Sequence, residues 1–317
     1  MNAARARAEA AAVEAALLLS RLLPRRALLA LGSATGALLG RLDRRHTATA
    51  RENLAAALGE STSPAERERI VRACWRHFGR IAFDALMFPR LDADALGSIL
   101  RVEGIEHART ALARGRGVLV FSAHWGHWEA GAYAMGLLGV PFAIITRPLD
   151  NPLLERRLAG LRRGTGNLII PKRRAVRETI RALGEGTAVA ILIDQDARED
   201  GVFVPFFGRP AATTPTLALL ALRTGAPIVP VFARVESDGT ITVRVEPALD
   251  ARPSDDRAAD VLRLTAACTA IVERHVRRDP EQWLWMHRRW KTRPPGEASA
   301  FRPREESDGP TRDHHGP

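Results

Sequence analysis

The chain has 317 residues, 46% hydrophobic, with a formal net charge of +11 and a pI of about 11.1, so it can bury a full core and suits one large domain with extensions. That charge calls for an anionic partner, nucleic acid or an anionic membrane; nucleic acid is set aside, because no zinc finger, RNP-like aromatic strand or basic zipper is present and aromatics are only 5%. Cys74 and Cys268 lie far apart in helical patterns, which argues against a disulfide framework and for a reduced, cytoplasmic-side protein.

In chain order, Ala/Leu-rich helical stretches over 15–23 and 27–42 are broken by Arg21, Pro24, Arg25 and Arg26, with Arg41, Arg44 and Arg45 beyond. The longest charge-free run, 27–40, is 14 residues, short of the roughly 18–20 needed to span a bilayer. An interfacial or re-entrant helical hairpin with arginines at headgroup level is expected. A cleaved signal peptide is disfavoured, because Glu9 and Glu14 sit where a positive region belongs. Further helices are expected over 53–58 and 63–87, the second opened by Ser63-Pro64 with Glu66 behind.

From about residue 102 the pattern alternates: strand 117–121, helix 128–138, strand 141–146, helix 152–163, strand 167–170, helix 174–183 and strand 188–193. Helix 214–224, strands 227–234 and 240–245 joined by a hairpin at Asp238-Gly239, and helix 255–277 follow. The fold class is α/β: a central, mostly parallel or mixed sheet flanked by helices, with an N-terminal helical membrane-associating extension. The expected division is a helical membrane-associating region over 1–60, an α/β domain over 61–295 and a disordered tail over 296–317, polar and without period at its end.

The chemistry concentrates at Ser-Ala-His-Trp-Gly-His-Trp-Glu, residues 122–129, a strand-to-helix turn of the kind that exposes side chains where open α/β sheets bind ligands. On one helix, residues five apart diverge by about 140°, so His124 belongs in the turn, with Glu129 in the first helical turn reaching back to it. A neutral histidine removes a proton from an attacking hydroxyl while a carboxylate on its other ring nitrogen fixes the tautomer. The pair reads as a charge relay without a protein nucleophile; Ser122 lacks the Gly-x-Ser-x-Gly elbow. A metal set of His124, His127 and Glu129 has no His-Glu-x-x-His helix or cysteine cluster beside it, so no metal and no organic cofactor are expected.

Between Arg147 and Arg181 lie ten basic residues against Asp150, Glu155 and Glu178. Most read as a solvated helix face, but Arg147 ends a strand on the sheet edge that carries His124. Asp194-Gln-Asp196 follows the apolar run 188–193, again at a carboxyl end, where an aspartate also suits a turn cap. The run Phe203-Val-Pro-Phe-Phe207 reads as core, with an acyl-chain groove as the alternative. Trp283, Trp285 and Trp290 beside Arg288, Arg289 and Lys291 suit either a membrane interface or a packed C-terminal helix.

Five blocks taken together carry a resemblance: His124-Trp-Gly-His-Trp-Glu129, Thr146-Arg-Pro-Leu-Asp-Asn-Pro152, Asp194-Gln-Asp196, Val202-Phe-Val-Pro-Phe-Phe-Gly208 with Ala212-Thr-Thr-Pro215, and Glu281-Gln-Trp-Leu-Trp-Met-His-Arg-Arg-Trp-Lys-Thr-Arg-Pro294. In that order they resemble the bacterial lipid A biosynthesis acyltransferases, the lauroyl and myristoyl transferase branch of the lysophospholipid acyltransferase superfamily. The resemblance implies an enzyme that moves a fatty acyl chain from an acyl carrier protein or coenzyme A thioester to a hydroxyl of an anionic glycolipid. Lysophospholipid and phosphatidylinositol-mannoside acyltransferases share the motif set, and a thioester hydrolase would use the same pair with water. It further implies an uncleaved N-terminal membrane anchor at the cytoplasmic face of the inner membrane. His124 and Glu129 would be catalytic, with Arg147, Arg162 and Asp194 toward the acceptor.

Overall fold

The computed structural model describes residues 3–88, 91, 93–140, 142–146, 150–163, 166–172 and 175–296. The N-terminal part is helical: α1 (Ala3–Leu22), α2 (Arg25–Leu42), α3 (Arg44–Leu58) and α4 (Pro64–Ala85). Then follow α5 (Ala93–Ile99), β1 (Leu100–Glu103), α6 (Ile105–Leu112), β2 (Val118–Ser122), α7 (Trp128–Leu137), β3 (Phe142–Thr146), α8 (Pro152–Arg163), β4 (Leu168–Pro171), α9 (Ala175–Gly184) and β5 (Ala188–Leu192). A hairpin of β6 (Val202–Phe206) and β7 (Arg209–Thr213) leads to α10 (Thr216–Thr224), β8 (Ile228–Val235), β9 (Ile241–Val245) and α11 (Arg257–Arg278).

Seven strands form one sheet in the order β1-β9-β8-β2-β5-β3-β4. From β8 through β4 the neighbours run parallel, while β9 joins β8 antiparallel and β1 follows β9. This is the mixed α/β sheet expected from the strand and helix alternation. β2 shows why the sheet needs cover on both sides: successive side chains alternate faces, and here both faces are apolar. Leu119 and Phe121 join one core with the helices α3, α4, α10 and α11. Val118 and Val120 join the other with Phe88, Ala130, Ala134 and Met135.

Ser63 caps α4 as its sequence predicts, with its side-chain oxygen accepting from the Glu66 N–H at 3.2 Å and Pro64 in the first turn. α1 and α3 extend well beyond the stretches predicted from apolar spacing. α5, α6 and β1 were not predicted at all, since each is short. The β6–β7 hairpin stands as its own two-stranded sheet, and Phe206 and Phe207 are buried. Residues 297–317 of the expected tail, and Arg147, lie outside the described residues.

The N-terminal helices differ from an independent hairpin. Gly32, Gly36 and Gly40, four residues apart, put one glycine face on α2, and α4 lies directly on it. A Cβ added at Gly36 would sit 2.1 Å from the Trp75 carbonyl oxygen, and one at Gly79 would sit 2.1 Å from that of Gly32. Arg25, expected at headgroup level, instead donates to the buried Asp84 carboxylate at 2.8 and 2.6 Å and to the Gly239 carbonyl at 2.8 Å. A guanidinium at the first residue of α2 finds in Asp84 a partner that satisfies a buried charge.

The close approach carries a test. Gly36→Ala is expected to destabilise the protein by about 1–3 kcal/mol through overpacking, even though alanine favours an isolated helix by about 1 kcal/mol over glycine. Urea denaturation reads the sign. A raised midpoint would show that α2 is not seated on α4 through this face.

Candidate active site

The site follows from strand register. β2 and β5 are parallel neighbours, with Val118 opposite Ala188 and Ser122 opposite Leu192. Continuing the same offset two residues past both strands sets His124 opposite Asp194. The His124 N–H donates to Asp194 Oδ2 at 2.8 Å, and the ring Nδ1 lies 2.9 Å from Oδ1. Trp283 Nε1 donates to Oδ2 at 2.8 Å. Asp194 is therefore a buried carboxylate clamped by a backbone amide, an imidazole and an indole. With Nδ1–H directed at Asp194, Nε2 is the free basic nitrogen of the ring.

The electrostatics match that geometry. Burial opposes charge on His124, but the adjacent Asp194 charge and hydrogen bond, with Glu129 adding to them, outweigh it and raise the histidine above its ordinary value of 6.5. For Asp194, burial works against the carboxylate, yet the His124 charge and the hydrogen bonds from His124 and Trp283 bring it down to about 2. The pair thus rests as an ionised carboxylate holding an imidazole of raised basicity.

Glu129 does not make the bond expected of it. It stands in the first turn of α7, and its carboxylate is held by Arg162 of α8, with Nε 3.1 Å from Oε2 and a second contact from Nη2 to Oε1. The residue on the histidine ring is Asp194, because parallel register brings it there, whereas the helix start turns Glu129 toward α8. Arg162, expected to face an anionic acceptor, pairs with Glu129, and both are largely buried. Beside this ion pair, Ala85, Phe88, Ala132, Tyr133, Ile144 and Asn167 line a small, mostly apolar cavity.

The turn between β2 and α7 is fixed from every side. Gly126 adopts φ +61°, and a Cβ there would lie 1.9 Å from the Ala233 carbonyl oxygen, so the position requires glycine. Its N–H donates to the Gln282 carbonyl at 3.0 Å, the His127 N–H to Ala233 at 2.7 Å, and the Leu284 N–H to the His124 carbonyl at 3.0 Å. His127 is fully buried and pushed down to about 4, chiefly by burial; its Nδ1 accepts from the Ala130 N–H at 3.4 Å as the cap of α7. It serves the turn, not the ligand side. Among the described residues, no three His, Cys, Asp or Glu side chains are grouped to hold a metal ion.

The C-terminal block supplies what sequence reasoning missed. Trp283, Trp285 and Trp290 occupy neither a membrane interface nor a C-terminal helix: all three are buried, packed against each other and Phe206 and Phe207. Trp125 and Trp283 form an antiparallel bridge, which carries the Trp283 indole to Asp194. His287 Nε2 accepts from the Asp196 N–H at 2.9 Å, and Thr292 donates to Asp196 Oδ2 at 2.9 Å. Buried Arg289, drawn down to about 10 by burial, donates to the carbonyls of Ala212 at 2.6 Å and Gln195 at 3.3 Å. The dense Trp/His/Arg spacing of residues 283–290 was the available signal. It reads equally well as an interface or as a core.

A partly exposed histidine on a buried carboxylate, at the carboxyl ends of parallel strands, is an arrangement chemically able to take a proton from a bound hydroxyl. The profile of bacterial lipid A biosynthesis acyltransferases matches residues 5–292, and the chain belongs to that family. A lipid A biosynthesis palmitoleoyltransferase of Escherichia coli is 30% identical over 88% of this chain and 90% of its own. The E. coli lipid A biosynthesis lauroyltransferase is 35% identical over 63% and 64%. A phosphatidylinositol mannoside acyltransferase of Mycolicibacterium smegmatis is 29% identical over 76% and 78%. The protein is thus an acyltransferase of lipid acceptors.

Proposed function

We propose that the protein is a membrane-associated O-acyltransferase that moves a fatty acyl chain from an acyl carrier protein or coenzyme A thioester to a hydroxyl of a lipid A precursor or related anionic glycolipid, at the cytoplasmic face of the inner membrane. The observation that carries this reading is the His124–Asp194 pair, with Nδ1 on the carboxylate and Nε2 carrying just a long contact to the Gln195 amide. His124 Nε2 takes the proton of the acceptor hydroxyl as its oxygen attacks the thioester carbonyl, and Asp194 holds the tautomer and stabilises the imidazolium. The collapsing intermediate expels the thiolate, which recovers the proton from His124. No acyl-enzyme forms.

Glu129 contributes through its negative charge near His124 and through Arg162. Arg162 and Arg147 are the cations proposed to meet the acceptor's anionic group, Arg162 from within its pair with Glu129. An acceptor of the phosphatidylinositol-mannoside kind is the second reading, favoured by the mycobacterial relative. Lipid mass spectrometry after deletion of the gene separates the two, because the missing acyl chain identifies the acceptor.

Membrane attachment is supported by the surface of α1 and α2. Leu18, Leu22, Leu31, Leu38, Leu39 and Leu42 are exposed, in helices that carry Arg21, Arg26 and Arg41. Among the described residues no helix is long and apolar enough to cross a membrane. Exposed leucines beside arginines suit insertion at the headgroup boundary of an anionic bilayer. The protein is expected to sediment with membranes and to be released by detergent far more than by salt. Recovery of full-length chain in the low-salt soluble fraction would contradict this attachment.

A further inference from the structure

Over the reactive nitrogen of His124 stands the carboxamide of Gln195, with its Nε2 3.5 Å from His124 Nε2. The Gln195 backbone is fixed: Asp194 before it is clamped by His124 and Trp283, its own carbonyl accepts from Arg289, and the Asp196 N–H is tied to His287. Its side chain faces solvent, so a buried scaffold presents one exposed amide at the point of reaction. Because His124 Nδ1–H is directed at Asp194, Nε2 of the neutral ring is an acceptor, and the NH2 end of Gln195 is the end that faces it. At 3.5 Å the contact lies beyond the 2.7–3.2 Å of a good hydrogen bond. An acceptor hydroxyl therefore displaces it readily.

With that hydroxyl about 2.8 Å from Nε2, the attacked carbonyl lies just beyond it, within reach of the amide. We propose that the Gln195 N–H donates to the thioester carbonyl oxygen as that oxygen becomes anionic, a catalytic role that rests on the acyl-transfer reading above. In the step, the acceptor oxygen bonds the carbonyl carbon and its proton passes to His124 Nε2. The carbonyl π pair moves onto oxygen, facing Gln195. The pair then re-forms the double bond, the C–S bond breaks, and the thiolate takes the proton from His124.

The test is Gln195→Met, which keeps length and removes the donor, assayed in detergent with palmitoyl-coenzyme A and a lipid A disaccharide precursor, and with palmitoyl-coenzyme A alone. Loss of one oxyanion donor costs about 10²–10³-fold in kcat. The expected result is a fall of that size in transfer and an equal fall in thioester hydrolysis by water, at unchanged KM for both substrates and an unchanged thermal midpoint. A raised acceptor KM with hydrolysis intact would overturn the proposal, placing Gln195 on the acceptor instead. Wild-type turnover in Gln195→Met would also overturn it, and alone. If the wild-type protein turns over neither palmitoyl-coenzyme A nor the palmitoyl thioester of acyl carrier protein, with or without the acceptor, the acyl-transfer reading fails first.

Discussion

Replacing His124 with alanine is expected to lower acyl transfer by about 10²–10⁴-fold, the range of a lost general base, while the protein remains folded and membrane-bound. The imidazole presents its Nε2 on the ligand side of the sheet with just a 3.5 Å contact to the Gln195 amide; the nearby His77 and His127 are buried and pushed down to about 4 mainly by burial, and His287, lowered by burial, uses its Nε2 to accept from the Asp196 N–H. Folding survives because the His124 backbone N–H still reaches Asp194 and Trp283 still donates to it. Alanine does leave the carboxylate short of one donor, so its proton affinity rises and some stability is lost. His124→Asn restores a donor toward Asp194 without a general base, and should recover stability but not turnover. Near wild-type kcat in His124→Ala, with donor and acceptor both saturating, would sink the mechanism.

Much of this site was legible in the sequence, and what was not has one cause. The placement of His124 after a strand and before a helix followed from local pattern, as did Asp194 at the end of an apolar run. Their meeting did not, because a fixed offset between β2 and β5 is set by which strands become neighbours, and nothing local records that. Glu129 was assigned to the histidine because it was the nearest carboxylate in sequence; register favoured the one seventy residues away. The same limit applies to the tryptophans of residues 283–290, whose mixture with arginine fits two environments until their neighbours are known. At the N-terminus the reverse happened. The glycine spacing at 32, 36 and 40 is plain in the sequence, yet the surrounding leucines and arginines drew the reading toward a hairpin at the membrane interface, and one face of α2 belongs to α4. β1, with four residues and a mixed burial pattern, was below what alternation can resolve.

Asp194→Asn is expected to be nearly as damaging as loss of the histidine, on the order of 10³–10⁴-fold in kcat, the scale at which a relay carboxylate matters. Three donors converge on Asp194: the His124 N–H, the His124 ring and the Trp283 indole. Asparagine offers one oxygen for the backbone and indole donors, and its NH2 then faces His124 Nδ1, which turns the ring to the tautomer protonated at Nε2 and removes the base. The Asp194 charge that raises His124 is gone as well, leaving the Glu129 charge to oppose burial, so the proton affinity of the imidazole falls. The pH profile gives a readout that misfolding cannot mimic. Catalysis needs neutral His124, so the acid limb of kcat/KM should have its midpoint above 6.5 in the wild type and move to lower pH in Asp194→Asn. Stability carries the same signature with opposite limbs. Asp194, at about 2 when folded, stabilises above its unfolded value of 3.8 and loses this as pH falls toward 2. His124, raised when folded, stabilises below its unfolded 6.5 and loses this as pH climbs through its folded value. The stability gap between wild type and Asp194→Asn should therefore be widest between about pH 4 and 6.5, by urea denaturation at stepped pH. A gap constant across pH 3–8, together with an unmoved acid limb, would mean that Asp194 and His124 are neighbours without being a catalytic pair.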